Sequence, residues 1–138
     1  MNIHTGKWDQ ELLGYFEIPS GVQLPTIKSS AEYFTTISDG IYNTVPITGC
    51  LGDQQASLLG HLCISPGQAK NTYGTGCFVL ANTGTKPVIS KNGLLTTIAY
   101  QLGPNADLTY ALEVFIYFFI FYFSICDVNH HAFSKGIN

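Results

Sequence analysis

The sequence predicts a mixed α/β chain, more strictly α+β, with helices in the N-terminal half and an antiparallel β-meander in residues 69–102. Three observations carry this. Residues 8–18 and Ala56 to Cys63 place apolar side chains at helical spacing. After residue 69 the apolar spacing drops to two, with turn residues between the runs. Asn92-Gly93 then stands between two of those runs, the strongest short hairpin signal.

In chain order, Asp9 opens the first helix as its cap. Leu12, Leu13 and Phe16 form its apolar stripe, and Ile18-Pro19 ends it. Residues 20–48 mix Gly, Pro and Ser with short apolar runs, the pattern of loops and brief strands. Val45-Pro46-Ile47 is a strand whose proline assigns it to an edge or a strand start. The second helix turns Ala56, Leu59, Leu62 and Cys63 to one face, and Pro66-Gly67 stops it. Lys70 to Tyr73 and Cys77 to Asn82 read as strands around Gly74-Thr75-Gly76. Lys86 to Ser90 and Leu94 to Leu102 read as two more around Asn92-Gly93.

At 138 residues the chain fits one domain on length alone. A net charge of -3, no arginine and scattered lysines exclude a nucleic-acid footprint. Cys50, Cys63, Cys77 and Cys126 are widely spaced with no C-x-x-C pair, which argues against a zinc ribbon. The start Met1-Asn2-Ile3-His4 has neither a basic region nor an apolar stretch, so no signal peptide is expected. No N-x-S/T acceptor occurs. Reduced thiols in a cytoplasmic setting follow as the expectation.

The chemistry concentrates in two motifs. Gly49-Cys50-Leu51-Gly52-Asp53-Gln54-Gln55-Ala56 sets one carboxylate beside an amide in a small-residue turn. A carboxylate there can take a proton from an alcohol. Lys70-Asn71-Thr72-Tyr73-Gly74-Thr75-Gly76-Cys77-Phe78 follows, with two hydroxyls around a glycine turn. Glycine lets backbone N–H groups approach phosphate oxygens closely. Together the motifs read as phosphoryl transfer to a hydroxyl. Each has a plainer reading. Asp53 before Ala56-Ser57-Leu58 makes a helix cap, and Gly74-Thr75-Gly76 makes a tight hairpin. Taken alone, the aspartate triplet favours the cap. Gly-Thr-Gly is neither a Walker loop nor a dinucleotide fingerprint.

The long segment from Gly49 to Gly84, continued by Lys86 to Ser90, Gly93 to Tyr100 and Tyr110 to Glu113, resembles the glycerol kinases of the sugar-kinase (FGGY) family. Asn2 to Thr5, Trp8-Asp9, Phe16 to Pro19 and Val45 to Ile47 resemble them more loosely. The resemblance implies partial actin-like, ribonuclease H-like lobes. Residues 1–67 would end an N-terminal kinase lobe and 68–113 would begin a C-terminal one. It implies ATP-dependent phosphoryl transfer to glycerol, with ATP and Mg2+ as cofactors and glycerol 3-phosphate as product. Asp53 would be the catalytic base and bind substrate, and Gln54 would bind a second hydroxyl. Gly74, Thr75 and Gly76 would bind the nucleotide. No metal ligand is assigned in this chain. Inside so long a match substrate binding outweighs the plain cap for Asp53, and the two roles are compatible.

Several residues are assigned to structure. Lys70 and Thr72 are strand residues. His61 is a surface or satisfied histidine, and Cys63 and Cys77 are small buried core residues. His130-His131 is not read as a metal site. The family's N-terminal phosphate loop, Arg-Glu clamp and adenosine pocket cannot be placed here, so a truncated chain without turnover of its own is expected.

The resemblance stops after Glu113. Residues 114–126 are almost wholly aromatic or β-branched, which marks a divergent tail spanning 114–138 and an aggregation-prone segment. Where the family continues with a glycine and a closely packed helix, this chain has Val114. Two occupants are open for that tail, a full-length kinase or a membrane, the latter against the ~20 apolar residues a span takes. They carry the alternative reading of a non-enzymatic interaction protein. The compartment expected is the cytoplasm, with the mitochondrial outer surface as a variant of it.

Overall fold

A computed structural model describes residues 1–74 and 76–117, and of Ile116 and Tyr117 the backbone alone. Residues 118–138, including His130-His131, Cys126 and most of the aromatic run, lie outside the described residues. The chain divides into two compact units. One comprises Met1–Cys50 with Gln101–Ala106, the other Leu51–Tyr100 with the described residues from Asp107.

In the first unit, helix α1 spans Gln10–Tyr15. Asp9 caps it as expected: its Oδ1 accepts the Glu11 and Leu12 N–H groups, each at 3.1 Å. The Leu12 amide, then the Asn2 side chain, hold the Asp9 carboxyl below the usual carboxylate range. The expected apolar stripe is not a core face, since no residue of α1 is buried. Strands β1 (Thr35–Thr36) and β2 (Pro46–Ile47) form a two-stranded antiparallel ribbon. Both are edges, the place a strand proline can occupy. Residues 101–106 join this unit through Ser30. Its N–H donates to the Gln101 carbonyl at 2.8 Å, and its Oγ accepts the Gln101 N–H at 3.2 Å.

Among the described residues the second unit is one helix on a sheet. Helix α2 spans Asp53–Gly60, and strands β3 (Ala69–Tyr73), β4 (Gly76–Gly84), β5 (Leu95–Tyr100) and β6 (Thr109–Tyr117) form a four-stranded antiparallel sheet. The helix starts three residues earlier than the spacing of Ala56, Leu59 and Leu62 indicates. It also ends earlier, in a Schellman turn. Leu62 takes φ 58, its N–H donates to the Leu59 carbonyl at 2.9 Å, and the Cys63 N–H reaches the Leu58 carbonyl at 3.1 Å. Leu62 is therefore turned outward, and Leu58 is the fully buried residue of the helix. Cys63 returns to pack with Leu58, Leu80, Ala99, Tyr100 and Ala111 in the core. Cys63 and Cys77 are buried, as the sequence indicates.

The strand order is β3-β4-β6-β5, so the sheet is antiparallel but not sequential. Lys86 to Ser90 is not a strand. Pro87 lacks an N–H for a ladder, the Thr96 hydroxyl donates to the Val88 carbonyl, and the Ser90 hydroxyl accepts the Asn92 N–H at 3.0 Å. The place beside β5 goes to β6, which pairs Leu95 with Glu113 and Thr97 with Ala111. Central strand β4 is buried on both faces, and β6 covers its second edge.

The first four residues of the expected divergent tail have a place in the sheet. Val114 to Tyr117 continue β6, paired with Val79 down to Gly76. The Phe115 ring packs against Phe78, tilted by 39° with centroids 4.4 Å apart. It also lies over Gly76, where an added methyl would come within 2.5 Å of Phe115 Cε2. These four residues supply the ladder opposite Gly76 to Val79 of β4.

Gly76→Ala should therefore lower stability by ~1–3 kcal/mol through overpacking. In a Phe115→Ala background, where the ring is gone, the same change should cost less than half as much. Urea midpoints of the four chains in the cycle read this directly. Equal costs in both backgrounds would remove Phe115 as the reason for glycine at 76.

A candidate phosphoryl-acceptor site at the start of helix α2

Asp53, Gln54, Lys70, Thr72 and Glu113 come together within the second unit. The sheet register explains how. Lys70 pairs with Leu80, and Leu80 with Glu113. A row across three strands therefore carries Lys70 and Glu113 on either side of the fully buried Leu80. Thr72 follows two residues on, on the same face. Leu80 belongs to the core cluster with Leu58 of α2, so this is the face the helix covers.

Asp53 is the first residue of α2, and Gly52 is the cap with no side-chain bond. The Asp53 carboxylate is exposed. Its Oδ1 accepts the Gln54 N–H at 2.8 Å, which leaves Oδ2 without a hydrogen-bond partner among the described residues. The plain cap reading is thus half met: the carboxylate serves one amide of the first turn from inside the helix. A negative charge there is favoured by the helix dipole.

Gln54 is half-buried. The Lys70 ammonium donates to its Oε1 and to Thr72 Oγ1, the latter at 2.6 Å. Lys70 is 5% exposed. Burial pushes its pKa down, and the carboxylates of Asp53 and Glu113, with Cys63, pull it partly back. Sequence spacing assigned Lys70 to the strand and went no further. The available signal was its place in an alternating strand, on the face shared with Leu80.

Gly74 and Gly76 flank the turn between β3 and β4, closed by the Gly74 N–H donating to the Gly76 carbonyl at 2.9 Å. Thr75 lies outside the described residues. His61 ends α2, exposed, with Nδ1 donating to the Ser57 carbonyl at 2.8 Å. No group of three His, Cys, Asp or Glu that could hold a metal occurs among the described residues. On the opposite sheet face, Ala69, Ala81, Thr83, Val88 and Leu112 line an open apolar recess of about 340 Å3 with no acid or base.

Burying the Lys70 charge gives a pH signature. Its folded pKa lies below the ordinary 10.5, so just below pH 10.5 the unfolded chain binds more protons than the folded one. Stability contributed by this residue therefore rises with pH through that window. The urea midpoint of the native chain minus that of Lys70→Met should increase between pH 8.5 and about pH 10.5. A flat difference would mean that the ammonium is not desolvated.

The FGGY family of carbohydrate kinases, N-terminal domain, matches residues 1–60. Glycerol kinase 1 of Streptomyces coelicolor is 56% identical over 117 residues, 82% of this chain and 23% of that protein. A probable glycerol kinase of Caenorhabditis elegans is 50% identical over 113 residues, 82% of this chain and 22% of that protein. The crystal structure of Plasmodium falciparum glycerol kinase with ADP matches at a TM-score of 0.79 and 43% identity, over 83% of this chain and 23% of that one. The chain thus spans less than a quarter of the length of the relatives it matches. Identity at this level, reaching from the helix of Asp53 into the sheet that follows, shows that the chain belongs to the glycerol kinases of the FGGY carbohydrate-kinase family.

Proposed function

We propose that this chain supplies the acceptor side of an ATP-dependent phosphoryl transfer to glycerol. One observation carries the reading: an exposed carboxylate with one oxygen oriented and the other open, beside a fixed amide, in a stretch shared with glycerol kinases. Asp53 Oδ1 is held by the Gln54 N–H, so Oδ2 is the atom that accepts the glycerol proton as the new O–P bond forms. Gln54 binds a second hydroxyl through its side-chain amide. The turn Gly74-Thr75-Gly76 is assigned to the nucleotide phosphates by the family resemblance, its glycines allowing close backbone approach. Residues 1–67 close the first kinase lobe in this reading, and 68–113 open the second.

A magnesium ion fits these residues in a limited way. Magnesium is held by one or two carboxylates, waters and substrate phosphates rather than by an all-protein cage. No three-ligand cluster occurs among the described residues, so the ion would be held here by waters and the nucleotide phosphates, with Asp53 Oδ2 kept for the glycerol proton. When bound, the ion neutralises charge on the phosphates.

A cytoplasmic setting is supported by the free thiols of Cys50, Cys63 and Cys77. No helix among the described residues is long and apolar enough to cross a membrane. The alternative of a non-enzymatic partner for a full-length kinase or a membrane rests on residues 114–126, most of which lie outside the described residues.

Two measurements test the proposal. Residues 2–113 placed in the corresponding stretch of the Streptomyces coelicolor enzyme should support glycerol-dependent ATP consumption. Asp53→Asn in that chimera should lower kcat by ~10²–10⁴-fold. Normal turnover with asparagine would leave Asp53 as a helix residue only. The 138 residues alone should give no glycerol-dependent turnover, because transfer needs charge neutralisation around donor and acceptor together and the sequence contains no arginine. Turnover by the chain that vanishes in Asp53→Asn would overturn that expectation.

A further inference from the structure

We propose that Lys70 is a positioning residue that fixes the polarity of the Gln54 amide, so that Gln54 can only donate to the substrate. The inference rests on the proposed function for the identity of the ligand and on geometry for the rest.

An ammonium has three donors and no acceptor. The Gln54 atom facing it is therefore the carbonyl oxygen, and the usual ambiguity between amide oxygen and nitrogen does not arise. With Oε1 held by Lys70, the Nε2 group points away from the strand. The Lys70 ammonium cannot swing off to another partner at low cost. It is 5% exposed, Thr72 Oγ1 holds it at 2.6 Å from its own strand, and Leu80 fills the next place in the row. Releasing Gln54 would leave a buried charge with one bond fewer, which is expensive.

Two neighbouring groups at the start of α2 thereby have opposite demands. Asp53 Oδ2 takes a proton, so the hydroxyl it meets must donate. Gln54 Nε2 gives one, so the hydroxyl it meets must accept. One hydroxyl donates once and accepts twice, so it meets both groups only where both reach the same oxygen. A polyol with two hydroxyls on nearby carbons satisfies both, one turned as donor and the other as acceptor. Lys70 touches no substrate in this arrangement. It sets which of two hydroxyls can be presented to the base.

The test uses the full chain, nitrogen-15 labelled, with free glycerol as the probe. In Lys70→Met the Gln54 side-chain NH2 signals should move, because Oε1 loses its charged donor. In Lys70→Arg, which keeps a donor cation, they should stay near their original positions. Glycerol should shift the Gln54 NH2 signals in the native chain, with an affinity that falls about tenfold in Lys70→Met. Gln54→Glu keeps an oxygen for Lys70 but has no N–H to give. It should lose glycerol binding by a similar factor while its urea midpoint is retained. If Lys70→Met folds and leaves the Gln54 NH2 signals unmoved, the positioning role is overturned. Unchanged glycerol affinity in a folded Gln54→Glu overturns the donor assignment, whether or not Lys70→Met folds. Should glycerol perturb neither Asp53 nor Gln54 in the native chain, the functional reading falls alone, because the amide signals still report the Lys70 tie.

Discussion

A positive charge held out of water is the constraint around which the second unit is arranged. Lys70 lies on the helix-covered face of the sheet, nearly without solvent. An unpaired ammonium there would cost several kcal/mol. Thr72, two residues along the same strand, supplies one acceptor. The second has to come from outside the strand, and Gln54 supplies it. That requires the first turn of α2 to lie over β3. Leu58 against Leu80 fixes the helix laterally, and the Schellman turn at Leu62 brings Cys63 back into the same core. Asn82, fully buried, then ties the end of the turn to the sheet, donating to the Cys63 carbonyl at 2.9 Å and to the Tyr100 hydroxyl at 3.3 Å. Each of these buried polar atoms has a partner, the condition under which a buried polar network rigidifies rather than destabilises.

This arrangement separates two adjacent residues that the sequence presents as a pair. Asp53 faces water and Gln54 is drawn down to the sheet. Successive helical residues point in directions ~100° apart, so neighbours on the helix can meet different surroundings. A carboxylate in water is free to meet a ligand. An amide tied to a buried cation is not free to rotate. The start of α2 therefore sets an exposed carboxylate beside an amide held by the sheet, which is the pairing the proposed base and aligning group require.

Much of this was legible in the sequence, for identifiable reasons. The Asp9 cap, the edge position of Pro46, the strands on either side of Gly74-Thr75-Gly76 and the burial of Cys63 and Cys77 follow from local rules of capping, proline chemistry and alternation. What was not legible depends on partners far along the chain. Leu62 fits the apolar face by spacing, yet a left-handed C-terminal turn removes it, and such a turn usually announces itself with glycine. Lys86 to Ser90 alternates like a strand, but β6 takes the place beside β5. Asp53 and Gln54 could be singled out from the motif. Lys70 could not, because its significance lies in an acceptor sixteen positions away on another element.

The turn at Gly74-Thr75-Gly76 shows how a packing demand and a chemical demand can fall on one residue. Read as a phosphate turn, Gly76 is small so that a ligand can approach. In the sheet, Gly76 is small because the Phe115 ring occupies the space its side chain would take. These are not rival explanations, since the ring lies against the residue that ends the turn and begins β4. The ring is held in place by Phe78 and by the ladder between β4 and β6. The first residues of the aromatic run therefore act on the turn directly. Moving Phe115 changes what bounds Gly76 on its sheet side, so the end of the turn depends on a strand that composition alone marks as an appendage.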